Sequence, residues 1–185
     1  MRITAGQFKG HRLCSFSADF IRPMTSRVKT SVFNTLYSYG WNPSKSHVLD
    51  LFSGTGNLAL EALSRGARDV HLVDSHKRAI QIIKKNCQIL KNPRGIKIHK
   101  KNVFSFLSSY KGKSFDLIFA DPPFQKSWGG KILEALTLSK TTEENTILVL
   151  EISSQESIPK EPRSHRLKIC KKFGDKRVLF YTSLV

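Results

Sequence analysis

Uninterrupted hydrophobic runs alternate with amphipathic segments through the middle of the chain. Short apolar runs such as "ILVLEI" are typical of parallel strands that are buried on both faces. Between them, segments such as "KRAIQIIKKNCQILK" repeat their apolar residues with a helical period. The pattern predicts strands at 47–52, 69–74, 96–100, 115–120 and 146–152, and helices at 57–66, 77–91, 103–110 and 130–138. Regular alternation of this kind predicts an α/β fold in which right-handed crossovers build a parallel sheet.

The two ends of the chain depart from this alternation. Strands at 165–173 and 177–184 are separated only by a Gly-Asp turn, which predicts an antiparallel C-terminal hairpin. A helix is predicted within 24–39, and the basic, turn-rich stretch 1–22 predicts a small N-terminal β-hairpin. We therefore expect a seven-stranded, mostly parallel sheet in a domain spanning 23–185, with residues 1–22 as an extension.

The charge balance indicates what kind of partner the protein binds. The chain carries 31 Lys and Arg against 14 Asp and Glu, a formal charge of +17. Such an excess favours a polyanionic partner, and a basic surface without a dedicated partner is the alternative.

The cysteines and the apolar runs exclude several classes of protein. The three cysteines are far apart, and no C-x-x-C or H-E-x-x-H spacing occurs, so we expect free thiols and no metal. The N-terminus lacks the apolar core of a signal peptide, and no window approaches a membrane span. We expect a cytoplasmic protein without a membrane partner.

A glycine-rich loop, "SGTGNLA", follows the first predicted strand. Gly54, Gly56 and Ala59 match the G-x-G-x-x-A spacing that lets a backbone approach a nucleotide at a helix start. Asp74 ends the next predicted strand, where a ribose-binding carboxylate is expected. Together these signals favour a nucleoside-containing cofactor over a tight structural turn with a capping aspartate.

Asp50 indicates which cofactor this is. It lies four residues before Gly54, and its carboxylate is unfavourable beside a pyrophosphate. An unperturbed aspartate has a pKa of about 3.9, so Asp50 is expected to be ionised at neutral pH. S-adenosylmethionine offers a sulfonium and an amino group for that charge, a ribose diol for Asp74 and an adenine edge for Asn102. We predict this cofactor, with a nicotinamide dinucleotide as the alternative.

Residues 121–124 read Asp-Pro-Pro-Phe, directly after the apolar run "FDLIFA". Two consecutive prolines cannot donate to a sheet ladder, so the strand must end in a rigid turn. That turn lies at the carboxyl edge of the sheet, beside the cofactor loop, where open α/β sheets bind ligands. D-P-P-F alone fits a structural turn, but its pairing with the glycine loop favours a substrate site.

The tetrapeptide resembles the [DNS]-P-P-[YFW] motif of amino methyltransferases at all four positions. The resemblance implies that Asp121 and the carbonyl of Pro122 hold an exocyclic amine, and that Phe124 stacks on the target base. Pro122 and Pro123 would keep these groups in place, and Asp121 would stabilise the positive charge that develops on nitrogen.

The whole chain resembles the bacterial family that methylates the N2 amine of a guanine in small-subunit (16S) ribosomal RNA. The matching stretches are "MRITAGQFKGHRL", "RPMTSRVKTSVFNTL", "VLDLFSGTGNLALEALSRGA", "FDLIFADPPF" and "GDKRVLFY". The resemblance implies a class I S-adenosylmethionine-dependent methyltransferase. It also implies cofactor contacts from Asp50, Phe52, Gly54, Gly56, Asn57, Asp74, Ser75, Asn102, Val103, Arg22 and Thr25. Asp74 and Asn102 depart from the Glu and Asp more usual in the family, but each keeps an acceptor oxygen.

The N-terminal charge fits the partner that this resemblance implies. Residues 1–45 hold seven Lys and Arg and one acid. The implied partner is small-subunit ribosomal RNA, either naked or in an assembling 30S particle, and we expect a monomer. The predicted phosphate contacts come from Arg2, Lys9, Arg12, Arg22 and Arg27. Solvated surface charge is the alternative for these side chains.

Other activities fit part of the pattern. A DNA adenine or cytosine amino-methyltransferase would use the same motif pair, although such enzymes usually carry a sizeable target-recognition domain. A non-catalytic RNA-binding module is the second alternative, and the intact Asp50, Asp74 and D-P-P-F argue against it. The six histidines form no recognisable catalytic arrangement, so we assign no general base among them.

Overall fold

The computed structural model describes residues 1–15, 25–123, 128–160 and 162–184. The described residues form one seven-stranded sheet with helices on both faces. The strands are β1 His47–Leu51, β2 Asp69–Asp74, β3 Ile96–Lys100, β4 Leu117–Ala120, β5 Ile147–Ser153, β6 His165–Phe173 and β7 Lys176–Ser183. The helices are α1 Ser26–Ser38, α2 Asn57–Ser64, α3 Lys77–Ile89, α4 Val103–Ser109 and α5 Gly129–Thr137, with a short 3-10 turn at Pro43–Lys45.

The strand order is β3-β2-β1-β4-β5-β7-β6. Strands β1 to β5 pair in parallel with one another, and β7 pairs antiparallel with both β5 and β6. This confirms the predicted mostly parallel sheet and its C-terminal hairpin. The chain runs outward from β1 to β3 and then returns to β4 on the other side of β1. The loops after β1 and β4 therefore open a crevice at the carboxyl edge, where such sheets bind ligands.

Two hydrophobic clusters cover the sheet, one on each face. Neighbouring residues of β1 belong to different clusters. Val48 lies in the cluster beneath α1, α2 and α3, whereas Leu49 lies in the cluster beneath α4 and α5. This division follows from the two-residue period of a strand. Both residues are fully buried, which explains why the strands read as continuous apolar runs.

The predicted N-terminal hairpin is reduced to a single antiparallel bridge between Arg2 and Arg12. Its strands are shorter than expected because the backbone between them binds helix α2 instead of a partner strand. The N–H of residue 7 donates to the carbonyl of Ser64 at 2.8 Å. At Gly6, with φ of +81°, an added Cβ would lie 1.7 Å from that same carbonyl oxygen. The hairpin is thus present but short: cross-strand bonds such as Leu13 N–H to the carbonyl of Met1, at 2.9 Å, and close packing on α2 together shape this segment.

Candidate functional site

The cofactor loop leaves β1 through a series of left-handed residues. Phe52, Gly54 and Gly56 have φ of 59°, 55° and 78°. The hydroxyl of Ser53 fixes the turn by donating to the carbonyl of Asp50 at 2.5 Å, and the N–H of Gly56 donates back to Ser53 at 2.7 Å. A Cβ on Gly56 would meet the side chain of Leu72 at 2.9 Å. Glycine at this position lets α2 begin close against the sheet.

Asp74 joins this loop to the end of β2. One carboxylate oxygen accepts the N–H of Gly54 at 2.9 Å, and the other accepts the N–H of His76 at 2.8 Å. Each oxygen retains a further lone pair, so the side chain can still accept from a ribose diol. Ser75 beside it is exposed at the same edge. The structure thus brings together the glycines and the acid that the spacing predicts.

Asp50 lies beneath the loop and is 3% exposed. Its Oδ2 accepts the N–H of Ala59 at 3.2 Å. The pKa of Asp50 is raised to about 7, mainly by burial; the hydrogen bond from Ala59 opposes this rise, and the negative charge of Asp74 contributes to it. The expectation of a fully ionised Asp50 at neutral pH is therefore wrong for the free protein, because desolvation favours the neutral acid. A bound cation would restore the charge.

Two predicted cofactor contacts have side chains that serve the fold. The Oδ1 of Asn102 accepts from Phe104 N and Ser105 N at 3.0 and 3.2 Å, which makes Asn102 the N-cap of α4. Contact with an adenine edge is then left to its amide nitrogen or to the backbone of the buried Val103. The Oδ1 of Asn57 accepts from Lys29 Nζ at 2.8 Å, so that side chain faces α1 and only its backbone borders the loop.

Helices α1 and α2 are joined by a buried ion pair. Lys29 and Glu61 are 1% and 0% exposed, and their charged atoms lie 2.8 Å apart. Glu61 also accepts the backbone N–H groups of Thr4 and Ala5, at 2.9 and 3.1 Å. Burial lowers the pKa of Lys29, and the hydrogen bond and charge of Glu61 oppose that change. The pair fixes the N-terminal segment to the helix that begins at the cofactor loop.

The Asp-Pro-Pro turn follows β4. Asp121 and the buried Pro122 lie at the carboxyl edge, Pro123 is exposed, and Phe124 lies outside the described residues, as does Arg22. Ala120 pairs with Leu150, so Asp121 comes next to Glu151 of β5. The two carboxyl groups are close enough to share a hydrogen bond when one of them is protonated.

Glu151 is 2% exposed and forms an ion pair with Lys176 of β7. Burial raises the pKa of Asp121, and the positive charge of Lys176 opposes that rise. Burial, together with the charge of Asp121, raises the pKa of Glu151 to about 8. At neutral pH the two acids therefore retain a proton between them.

Sequence reasoning missed Glu151 and Lys176. The signal was available: the acid interrupts "ILVLEI", a run that must be buried on both faces, where a carboxylate needs a partner.

Three aromatic rings border the same edge. Phe104 and Trp128 are stacked with ring centroids 5.1 Å apart, and Phe52 meets Trp128 edge-on at 5.6 Å. All three are partly exposed. Only Phe52 is anticipated from the sequence, because Phe104 and Trp128 belong to elements that carry no motif.

The predicted phosphate-binding residues line the surface around α1. Arg2 and Arg12 border a shallow cleft of about 330 Å³ next to Met1 and Ser26. Arg27 and Lys171 border a second cleft of about 440 Å³ along the polar face of α1. The described side chains Arg2, Lys9, Arg12 and Arg27 are exposed, and Thr25 caps α1 by accepting the N–H of Val28 at 3.3 Å.

One histidine, His76, borders this edge, where its backbone N–H donates to Asp74. His47 and Asp69, 2.9 Å apart, lie at the opposite ends of their strands from the cofactor loop. Burial lowers the pKa of His71 to about 4, so that side chain is neutral. Within the described part of the chain, no group of three His, Cys, Asp or Glu could hold a metal ion. None of the described helices combines the length and the apolar character needed to cross a membrane.

Comparisons with known proteins agree over nearly the whole chain. The model of the family described as "Conserved hypothetical protein 95" matches residues 1–182. Ribosomal RNA small subunit methyltransferase D of Buchnera aphidicola subsp. Acyrthosiphon pisum is 30% identical over 169 residues, covering 90% of this chain and 86% of that protein. The protein of the same name from Escherichia coli K12 is 30% identical over 172 residues, covering 91% and 84%. A solved structure of a candidate methyltransferase from Escherichia coli superposes with a TM-score of 0.87 at 28% identity, covering 100% of this chain and 98% of the other.

Proposed function

Because this chain belongs to the family described as "Conserved hypothetical protein 95" and is a methyltransferase of the class I fold, we propose that it methylates the N2 amine of a guanine in small-subunit ribosomal RNA. S-adenosylmethionine, when bound, supplies the methyl group. The observation that carries the proposal is the placement of Asp121 beside the glycine loop, at the edge where β1 and β4 end together. An acceptor for an amine and a site for a nucleoside cofactor thereby share one crevice.

The loop residues suit a cationic nucleoside cofactor. Asp50 is a buried acid with a single hydrogen-bond donor, Ala59, in the described structure. A positive group nearby would offset the desolvation of its carboxylate. Asp74 is held by two backbone N–H groups with lone pairs to spare for a ribose diol. At the start of α2, the N–H of Ala59 already donates to the carboxylate of Asp50, which argues against a pyrophosphate there.

The Asp-Pro-Pro turn suits an aromatic amine. The lone pair of a guanine N2 is delocalised into its ring, so the amine is a weak nucleophile. An Asp121 oxygen and the carbonyl of Pro122 would each accept one N–H and orient the nitrogen, since the prolines fix this backbone. The negative charge of Asp121 would also stabilise the positive charge that builds on nitrogen. Phe124 is proposed to stack on the extruded base.

Ribosomal RNA as the substrate rests on the relatives' names and on charge. The two relatives described above are ribosomal RNA methyltransferases by name. Arg2 and Arg12 on one cleft, and Arg27 with Lys171 on the next, offer cations beside α1 for phosphates. Phosphate contacts would position the RNA, while the crevice selects the base. The proposal includes a monomer working in the cytoplasm.

Nucleoside mass mapping tests this proposal. Ribosomal RNA is compared from a strain that lacks the gene and from the same strain with wild-type or Asp121→Ala protein. We expect one N2-methylguanosine to be absent, restored by the wild type and not by the variant. Purified protein is then given labelled cofactor with free 16S RNA, 30S particles or duplex DNA. An unchanged RNA profile in the deletion strain, or label entering DNA alone, would contradict the assignment.

A further inference from the structure

Three charged side chains from adjacent strands meet beneath the Asp-Pro-Pro turn. Asp121 follows β4, Glu151 lies in β5 and Lys176 begins β7. Register explains the meeting, because Ala120 pairs with Leu150 and places the next residue of each strand side by side. A Lys176–Glu151 ion pair alone could be structural. The additional contact to the residue that faces the amine connects this pair to the reaction.

The hydrogen bond between Asp121 and Glu151 requires a proton. Two ionised carboxylates contain only acceptors, so one of the two groups must be a carboxylic acid. Lys176 occupies Oε1 of Glu151. Among the described hydrogen bonds, none is donated to Oε2 of Glu151, although this atom is buried. Oε2 is therefore the atom that is free to carry the proton.

We propose that Glu151 is a positioning residue for Asp121: as a carboxylic acid held by Lys176, it donates its O–H to Asp121 and fixes that carboxylate so that its remaining acceptor sites face the amine. This role rests on the proposed amine methylation. With the donor in place, Asp121 stays ionised and has one orientation. If Glu151 lost its proton, two negatively charged carboxylates would lie side by side, and Asp121 would rotate or take up a proton itself.

With this arrangement, the methylation rate should fall at alkaline pH. The charged groups that face the acid pair are Lys176 on β7 and Asp50 on β1. Arg177, the next residue of β7, donates to the carbonyls of Ser154 and Glu156 instead. Loss of the Glu151 proton above about pH 8 would remove the donor and add a second negative charge beside Asp121. Saturating cofactor keeps the titration of Asp50 out of this profile.

Glu151→Gln separates the roles, because an amide donates a hydrogen bond but does not titrate. At saturating cofactor and RNA, we expect Glu151→Gln to keep kcat at about pH 7 within about threefold of wild type and to lose the alkaline decline. Glu151→Leu should lower kcat by about tenfold to a hundredfold with KM for the cofactor nearly unchanged. Glu134→Gln, an exposed acid on α5, serves as the matched control and should follow the wild-type profile.

Carbon-13 titration of labelled carboxyl groups in the free protein provides a readout that does not depend on activity. In wild type, the Asp121 signal should show a second step near pH 8, where Glu151 loses its proton, and this step should be absent from Glu151→Gln because an amide does not titrate. The protonation of Asp121 itself should change little, because the amide still donates to it. A wild-type Asp121 signal without the alkaline step, or the same step in Glu151→Gln, would overturn the proposal, as would an alkaline decline kept by Glu151→Gln or a Gln variant as inactive as the Leu variant. If the wild-type protein methylates no RNA while the titration behaves as expected, the proposed RNA substrate is wrong, whereas the interaction between Glu151 and Asp121 is supported.

Discussion

Asp50 makes cofactor affinity depend on pH. Its carboxyl is 3% exposed, and burial raises its pKa to about 7. A cationic ligand binds the ionised form, so the apparent dissociation constant is the intrinsic one divided by the ionised fraction. That fraction is about one in eleven at a pH one unit below the pKa and about one half at the pKa. Affinity for S-adenosylmethionine should therefore rise about fivefold between about pH 6 and about pH 7.

Calorimetric titration of wild type and Asp50→Asn over this range measures the effect. The window ends near pH 7 because α-amino groups, such as the one in the ligand, begin to deprotonate above it. Asparagine keeps the shape and an acceptor for the N–H of Ala59 but cannot ionise. The variant should bind more weakly and without the pH slope. A flat wild-type curve, or an equal slope in Asp50→Asn, would refute the reasoning.

The same acid affects the stability of the free protein. The folded pKa of Asp50 is raised from 3.8 to about 7, so its stabilising contribution is complete below the unfolded value and is lost as pH rises through the folded one. Relative to Asp50→Asn, the wild type should lose about 3 kcal/mol of unfolding free energy between about pH 4 and pH 7. Denaturant titrations at both pH values measure the difference, and a constant gap between the two proteins would contradict it.

Three other variants test separate parts of the molecule. Asp121→Ala should lower kcat at least about a hundredfold while the cofactor dissociation constant stays within about threefold, as measured by single turnover and calorimetry; parallel losses would mean a folding defect. Glu61 pairs with Arg65, at 2.9 Å, as well as with Lys29. Lys29→Met removes the more deeply buried of these two cations and should cost about 3–5 kcal/mol in denaturant unfolding, whereas a cost below about 1 kcal/mol would show that Arg65 suffices. Lys9→Glu with Arg12→Glu should weaken RNA binding and reduce its salt dependence at unchanged cofactor affinity, and an unaltered salt slope would exclude this segment from the RNA contact.

The sequence predicts the sheet because its strands are short apolar runs with helices between them. β3 and β6 agree with the predicted bounds, and β4 begins at Leu117 instead of 115. The difference arises because the N–H of Phe115 donates to the carbonyl of Thr141, outside the sheet. The strands of the N-terminal hairpin are shorter than predicted for a similar reason, since its backbone also binds Glu61 and Ser64 across 56 residues of sequence or more. Local patterns carry no information about such distant acceptors.

The residues of the candidate site also differ in how far the sequence predicts them. Asp50, Gly54 and Asp74 are predictable because their spacing follows from the strand–loop–helix geometry that holds a nucleoside. The acid in "ILVLEI" indicates that Glu151 needs a buried partner, but the sequence does not identify Lys176 as that partner, because their pairing depends on β7 inserting antiparallel next to β5. The pKa of Asp50 also depends on burial by residues from several elements, which spacing alone does not reveal.

The fastening of the N-terminal segment has a practical consequence for anyone who prepares this protein. Removing the first five residues would strip Glu61 of the donors from Thr4 and Ala5 and leave Lys29 with a looser counterion. That disturbance would reach α2 close to the point where the glycine loop ends. Proteolytic trimming of the N-terminal end is therefore expected to damage the protein, and a shortened protein with poor cofactor binding should be interpreted as a damaged scaffold before it is interpreted as an inactive enzyme.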